Sequence, residues 1–325
     1  MRVLVTDAAG FLGFHVLQRL RADGHEALGA VGPDFHPQSE ARLARLEAFG
    51  VPFRRADPAH LVTEHRPQCV VHLSMLPRNE QPDPQVAARQ AGLDVSEFGG
   101  LLGASRAHGV EHVILGSGAG VYGAGEKLPF AVDTPLQRPL GMCAAAERAA
   151  ELFAHGFAHA HGQPVTVLRF FSLYGPWGNQ TQAPMRFARA LLAREPVPLP
   201  ERGELRRDFV YIDDAVECVS RAVERVPEGD GDLGTPPYAV HNVGTGNPSQ
   251  LSRVLELVEA RLGRAAQREE VALPRTSLNH TWADVRELQQ AYGFRPSIPL
   301  AEGVGRTVDW MLSDEGAAWR PSPGQ

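Results

Sequence analysis

A doubly wound α/β fold with a mostly parallel sheet is predicted by three observations. The chain opens on a short apolar strand, a glycine-bearing turn and an apolar-faced helix. Counting that strand, six strand-like runs alternate with helical runs up to about residue 170. Beyond residue 174 the alternation loosens into turns, helices and one further short strand. The expected division is a nucleotide-binding lobe over 1–173, to which 208–243 returns. A smaller α/β lobe for substrate comes from 174–207 and 244–314, and 315–325 is a loose tail.

Residues 2–6 read as the first buried strand. Asp7-Ala8-Ala9-Gly10-Phe11-Leu12-Gly13 reads as a tight turn running into a helix that starts near Phe11, with Phe14, Val16, Leu17 and Leu20 as its apolar contacts. Strand, turn and helix N-terminus together form a recipe for holding a pyrophosphate. Amide groups point at the charge, and Gly13 lets helix and strand pack closely. An ordinary βα turn is the alternative. Asp7 stands where the usual dinucleotide turn has glycine, and a carboxylate there opposes a phosphate.

Residues 26–31 read as the second strand. A ribose-binding acid is expected near its end, and Asp34 is the candidate, with His36 and Arg42 as possible phosphate partners or exposed charges. A helix over 39–49 and a strand over 51–54 lead to Asp57, either beside a loop crossing the adenine or an N-cap. Residues 69–73 form a nearly all-apolar strand whose end, Leu73, Ser74 and Met75, faces the ligand crevice; His72 reads as structural. A helix over 94–108, a strand over 113–116, the small-residue stretch 117–123, a helix over 142–160 and a strand over 165–170 complete the larger sheet.

Composition narrows the function classes. The 325 residues carry 32 basic and 38 acidic side chains, a formal charge of -6, which gives no support to nucleic-acid binding. Three cysteines, Cys69, Cys143 and Cys218, are far apart and suggest neither a disulfide framework nor a zinc motif. No leader peptide and no run of membrane-spanning length stands out, so a cytoplasmic protein is the default expectation. His155, His159 and His161 read as surface histidines rather than a metal site.

Several stretches, in order and spacing, carry a family resemblance. They are 6–13, His72-Leu73-Ser74, Val121-Tyr122-Gly123, the run from Arg169 to Gly178, the run from Arg207 to Asp214, and His241-Asn242-Val243-Gly244. The chain resembles the extended short-chain dehydrogenase/reductase superfamily, specifically its NAD-dependent epimerases and dehydratases of nucleotide sugars, and is most similar to UDP-glucuronate 4-epimerases. The resemblance implies a Rossmann-type lobe binding NAD(H) or NADP(H) and a lobe binding a UDP- or other nucleotide sugar. It also implies a homodimer formed through the helices near 94–108 and 142–160. Catalysis in the family uses a Ser or Thr with a Tyr-x-x-x-Lys pair.

On that pattern the Ser/Thr position falls at Gly118, beside Ser117; the tyrosine position falls at Cys143 and the lysine position at Glu147. Three readings follow. The chain is a redox enzyme of the family with substituted groups, Tyr122 or Tyr174 supplying an acid. Or it is a cofactor-independent isomerase, lyase or cyclase using Glu147 as base, with Cys143 four residues away on the same helical face. Or it is a pseudoenzyme that keeps a nucleotide or nucleotide-sugar pocket. In the smaller lobe, the resemblance places Asn179 where an arginine often meets the sugar acid, and Arg207 where an arginine meets the diphosphate. An ion pair to Asp208 or Asp213 is the plainer reading of Arg207.

Overall fold

The structure, a computed structural model, describes residues 1–32, 38–74, 83–124, 127–136, 138–230 and 234–321. The chain runs β1 (Arg2–Val5), α1 (Phe11–Ala22), β2 (Glu26–Val31), α2 (Ser39–Ala48), β3 (Phe53–Arg55), α3 (Pro58–His65) and β4 (Cys69–His72). It continues with α4 (Pro84–Ala107), β5 (His112–Gly118), α5 (Met142–His161), β6 (Val165–Phe170) and β7 (Ser172–Tyr174). Next come α6 (Ala183–Ala193), β8 (Val197–Pro200), β9 (Arg206–Arg207), β10 (Phe209–Tyr211), α7 (Ile212–Val223) and β11 (Tyr238–Val243). The last elements are β12 (Ser249–Gln250), α8 (Leu251–Leu262), β13 (Arg268–Val271), α9 (Arg286–Tyr292) and α10 (Leu300–Leu312).

Seven parallel strands form one sheet in the order β11-β6-β5-β4-β1-β2-β3. Alternation along each strand builds two cores. Val3, Val5, Val71 and Ile114 face one layer, while Leu4, Val70, Val113 and Leu115 face the other. The first layer includes α1 packed on α7, and the second includes α3, α4 and α5. The strand order reverses at β1, between β2 and β4. The crevice outside the carboxyl ends of the strands at such a point is where open α/β sheets bind ligands.

The smaller lobe pairs β12 antiparallel with β9 and β13 parallel with β8, around α6, α8 and α10. The strand expected to return to the main sheet does so as β11, beside β6. Acidic side chains of the 208–214 run build turns here. Buried Asp208 accepts from the Thr245 amide (2.8 Å), the Thr245 hydroxyl (2.6 Å) and the amides of Gly246 (3.0 Å) and Ala283 (3.1 Å). Asp214 accepts from the amides of Ser297 and Ile298 at 2.7 and 2.8 Å.

Three expectations need correction. Helix α4 begins at Pro84, ten residues before the expected start, because Asp83 caps it, accepting from the amides of Gln85 (2.7 Å) and Val86 (3.3 Å). A helix not expected from the sequence, α3, follows Asp57, which takes the N-cap role left open for it by accepting from the His60 amide at 3.0 Å. Of the tail expected to be loose, residues 315–321 are described and are docked through Trp319. Its ring is fully buried, edge-on to Trp177 and Trp310 at 5.3 and 5.0 Å, and its Nε1 donates to the Gly178 carbonyl at 2.7 Å. Arg189 donates to the Trp319 carbonyl. Among the described residues, no helix is long and apolar enough to cross a membrane, and no three His, Cys, Asp or Glu side chains could jointly hold a metal ion.

Candidate active site

The turn between β1 and α1 lies at the reversal of strand order. It is tied to both neighbours: the Thr6 amide donates to the Val71 carbonyl (2.9 Å) and the Ala8 amide to the Ala30 carbonyl (3.0 Å). Helix α1 starts at Phe11 with Gly10 as N-cap, and no side chain caps it. The amides of its first turn, at Phe11, Leu12 and Gly13, have no partners within the helix and suit an anion. A Cβ on Gly13 would lie 2.2 Å from the Asp7 carbonyl, so only glycine lets the helix approach this closely. Asp7 takes φ +52°, a left-handed conformation that favours glycine. Its carboxylate rests over Gly10, whose added Cβ would be 1.9 Å from Asp7 Oδ2. The cradle therefore fits a dinucleotide pyrophosphate in its backbone, and Asp7 puts one negative charge into it.

Arg42 offsets that charge. It is 1 % exposed, not the surface charge considered from the sequence. Its Nη1 donates to the Ala9 carbonyl (3.0 Å), its Nε and Nη2 to the Trp177 carbonyl (2.9 and 2.7 Å), and its Nη2 to Asn179 Oδ1 (3.0 Å). Burial lowers its pKa to about 10, while Asp7 pulls the other way. Asn179 is thereby part of a clamp between the cofactor turn and the smaller lobe. His15 reinforces the same junction, with its Nε2 3.0 Å from the Pro176 carbonyl; burial lowers its pKa to about 4. At the end of β4, Thr6 Oγ1 accepts from the Leu73 amide (2.9 Å) and the Ser74 hydroxyl (3.1 Å) and lies 3.2 Å from His72 Nδ1. His72 is fully buried against Phe98, a structural position. Asp34 and Met75, named from the sequence, lie outside the described residues.

At the end of β5 the candidates separate. Ser117 Oγ donates to Glu151 Oε1 at 2.8 Å. Glu151 also takes both arms of Arg169, at 2.9 Å each, and Arg148 at 3.2 Å. Arg169 Nη1 donates to the Tyr122 hydroxyl (2.9 Å), which donates in turn to Asn242 Oδ1 (2.6 Å). Tyr122 lies flat on Phe130 at 4.5 Å, and burial raises its pKa. Ser117 and Tyr122 thus belong to a buried network joining β5, α5, β6 and β11 rather than to an open crevice. The tie from Glu151 through Arg169 to Asn242 was missed from the sequence, since its members lie far apart in the chain.

On α5, Cys143 is exposed and Glu147, one turn on, is 1 % exposed. The Glu147 carboxyl lies against Gly118 and Gly120. Burial, with the charge of Glu151 second, raises its pKa well above the usual carboxylate value. The sequence contains a single lysine, Lys127, exposed on the loop after β5. That count was readable from the sequence and bears directly on any lysine-dependent chemistry.

In the smaller lobe, Arg207 pairs with neither Asp208 nor Asp213. Its guanidinium donates only to carbonyls, those of Leu278 (2.6 Å), Asn279 (2.8 Å) and Arg206 (3.1 Å), and burial lowers its pKa to about 10. Asp213 pairs with Arg306 instead, at 3.5 Å. Arg186 on α6 was not singled out from the sequence; its Nε is buried without a hydrogen-bond partner among the described residues. Tyr174 is buried between Phe209, Tyr211 and Gly303.

Residues 3–244 match the model of the NAD dependent epimerase/dehydratase family, and the chain belongs to that family. A probable UDP-glucuronate 4-epimerase of Rhizobium meliloti (strain 1021) is 32% identical over 335 residues, covering 95% of this chain and 96% of that protein. The UDP-glucose 4-epimerase of Thermus thermophilus, solved with NAD, superimposes with a TM-score of 0.79 at 26% identity over 97% of this chain and 100% of that one. The Bacillus cereus UDP-glucuronic acid 4-epimerase, solved with UDP-glucuronic acid and NAD, gives a TM-score of 0.83 over 96% of this chain and 99% of that one. Its 22% identity makes it a likeness of fold alone.

Proposed function

We propose that the protein binds NAD at the β1–α1 turn and a nucleotide sugar, of the UDP-glucuronate or UDP-glucose kind, between the sheet and the smaller lobe. It acts there as an epimerase- or dehydratase-type enzyme with a substituted proton-handling group. The observation that carries this reading is the line of features along one sheet edge. The glycine-lined cradle stands at the end of β1, Thr6 with Leu73 and Ser74 at the end of β4, and Glu147 against Gly118 at the end of β5. Arg207 supports the sugar-nucleotide half, because a largely buried cation with only carbonyl partners is suited to a diphosphate. Arg42 is engaged in its clamp with the Ala9 and Trp177 carbonyls and Asn179. A bound nicotinamide would supply hydride transfer. The first-turn amides of α1 would bind its pyrophosphate, and Arg207 would orient the sugar nucleotide. On the family pattern the Tyr and Lys positions fall at Cys143 and Glu147. The three free cysteines, Cys69, Cys143 and Cys218, accord with a cytoplasmic setting.

Asp7→Gly tests the cradle. A carboxylate about 5 Å from a phosphate opposes it by roughly 2–3 kcal/mol at an effective dielectric near 20–30. Arg42 cancels part of this. The variant is expected to bind NAD about 10–100-fold more tightly by titration calorimetry. Failure of both the variant and the parent protein to bind NAD would refute the reading.

A homodimer through α4 and α5 is part of the same proposal. Leu93 on α4 and Leu152 and Phe153 on α5 are 53, 56 and 52 % exposed, on two helices packed side by side. Phe153→Asp is expected to sediment as a monomer where the parent protein sediments as a dimer. A parent protein that is itself monomeric at micromolar concentration would refute the interface.

A further inference from the structure

The Glu147 side chain crosses from α5 to β5. An ideal Cβ placed on Gly118 would lie 2.7 Å from Glu147 Oε1 and 3.1 Å from Oε2, and one on Gly120 would lie 3.5 Å from Oε2. The carboxyl therefore fills the volume where a side chain at 118 would begin. Its Oε1 is buried and has no hydrogen-bond partner among the described residues. A buried oxygen left unpaired is destabilising, and a ligand hydroxyl would offset that cost.

We propose that the Glu147 carboxyl hydrogen-bonds a hydroxyl of the bound sugar or of the cofactor ribose, supplying from α5 the polar contact that Gly118 cannot supply from β5. A carboxylic acid offers one donor and an acceptor, which suits a hydroxyl that can do both. Its neutrality has a structural cause. The Glu151 carboxylate, one turn along, is committed to Arg169, Arg148 and Ser117, and a second charge beside it in a buried niche is opposed. The other titratable groups on the elements around α5 include Cys143, His155, His159 and His161 on the helix itself, His112 on β5, Tyr122 after it, Tyr238 and His241 on β11, and Arg89, Asp94, Glu97 and Arg106 on α4. Among all of these Glu151 is the charge that acts on Glu147.

The inference rests on the dinucleotide and nucleotide-sugar reading, and the test separates the two. NAD and UDP-glucuronic acid are titrated into the parent protein, Glu147→Gln and Glu147→Ala across pH, with infrared difference spectra recorded on ligand addition. A protonated-carboxyl band is expected in the parent protein at neutral pH, absent from Glu147→Gln and shifted by ligand. Affinity for at least one of the two ligands should fall as pH rises through the raised pKa, because the ionised form loses the donor. Glu147→Gln should bind within about threefold of the parent protein without that pH dependence, and Glu147→Ala about 10-fold more weakly. Gly118→Ser should lower the melting temperature in the parent background but not beside Glu147→Ala, where the carboxyl no longer fills the space. Ligand binding indifferent to Glu147→Ala, with the band unshifted, overturns the inference alone. Absence of any binding by the parent protein overturns the functional reading, and the inference falls with it.

Discussion

Trp319→Ala is expected to lower the unfolding free energy by about 3–5 kcal/mol, the range for emptying a fully packed aromatic site. The ring is enclosed by Trp177 and Trp310, and its Nε1 satisfies the Gly178 carbonyl. Loss of two edge-on aromatic contacts adds to the cavity cost, at about 0.5–1.5 kcal/mol for each pair. Trp319→Phe keeps much of the packing and removes the hydrogen bond, so a loss nearer 1–2 kcal/mol is expected. Urea unfolding followed by circular dichroism measures both. A loss below about 1 kcal/mol for the alanine variant would mean that residues 315–321 detach readily, contrary to their packing.

Arg42→Ala is expected to cost a comparable amount, about 3–5 kcal/mol, for a different reason. Its removal leaves the Ala9 and Trp177 carbonyls and Asn179 Oδ1 without this donor, and removes a positive charge that acts on Asp7. The desolvation already borne by the buried guanidinium moderates the total. NAD affinity should fall as well, since the positive charge of Arg42 no longer offsets Asp7 near the pyrophosphate. Arg42→Lys restores the charge but not the fork that reaches two carbonyls and an amide oxygen at once, and should recover only part of the stability. Combining Asp7→Gly with Arg42→Ala should recover NAD affinity without recovering stability, which separates the electrostatic role from the mechanical one. Equal affinity in the parent protein and Arg42→Ala would contradict the assignment of Arg42 as the charge that offsets Asp7.

The parallel sheet was legible because β4, β5 and β6 are buried on both faces and so read as largely apolar runs. The turn at 7–13 was legible because its glycines and the helix start are local in sequence. What escaped was of another kind. Asp57-Pro58 and Asp83-Pro84 are helix starts, yet Asp and Pro signal loops equally well, and only the apolar face that follows separates the two. In the candidate site, residue types were readable and side-chain directions were not. Ser117, Tyr122 and Tyr174 have the chemistry of a site, but the register of β5 against β6 and the packing of α10 turn them into the interior. The spacing of Cys143 and Glu147 gave a shared helical face. That Glu147 meets Gly118 depends on how α5 lies across β5, and no local pattern encodes it.

The bond from Trp319 to Gly178 spans 141 residues of chain. At about 5–20 residues per second, a ribosome needs roughly 7–28 s to travel that distance. Throughout that interval the segment around Trp177, already synthesised, lacks the ring that seals it. Helix α1 and the first strands can pair meanwhile, since their contacts are near in sequence. The junction between the lobes is thus among the last parts of a nascent chain to close. Until then the Trp177 ring lacks the indole that packs edge-on against it.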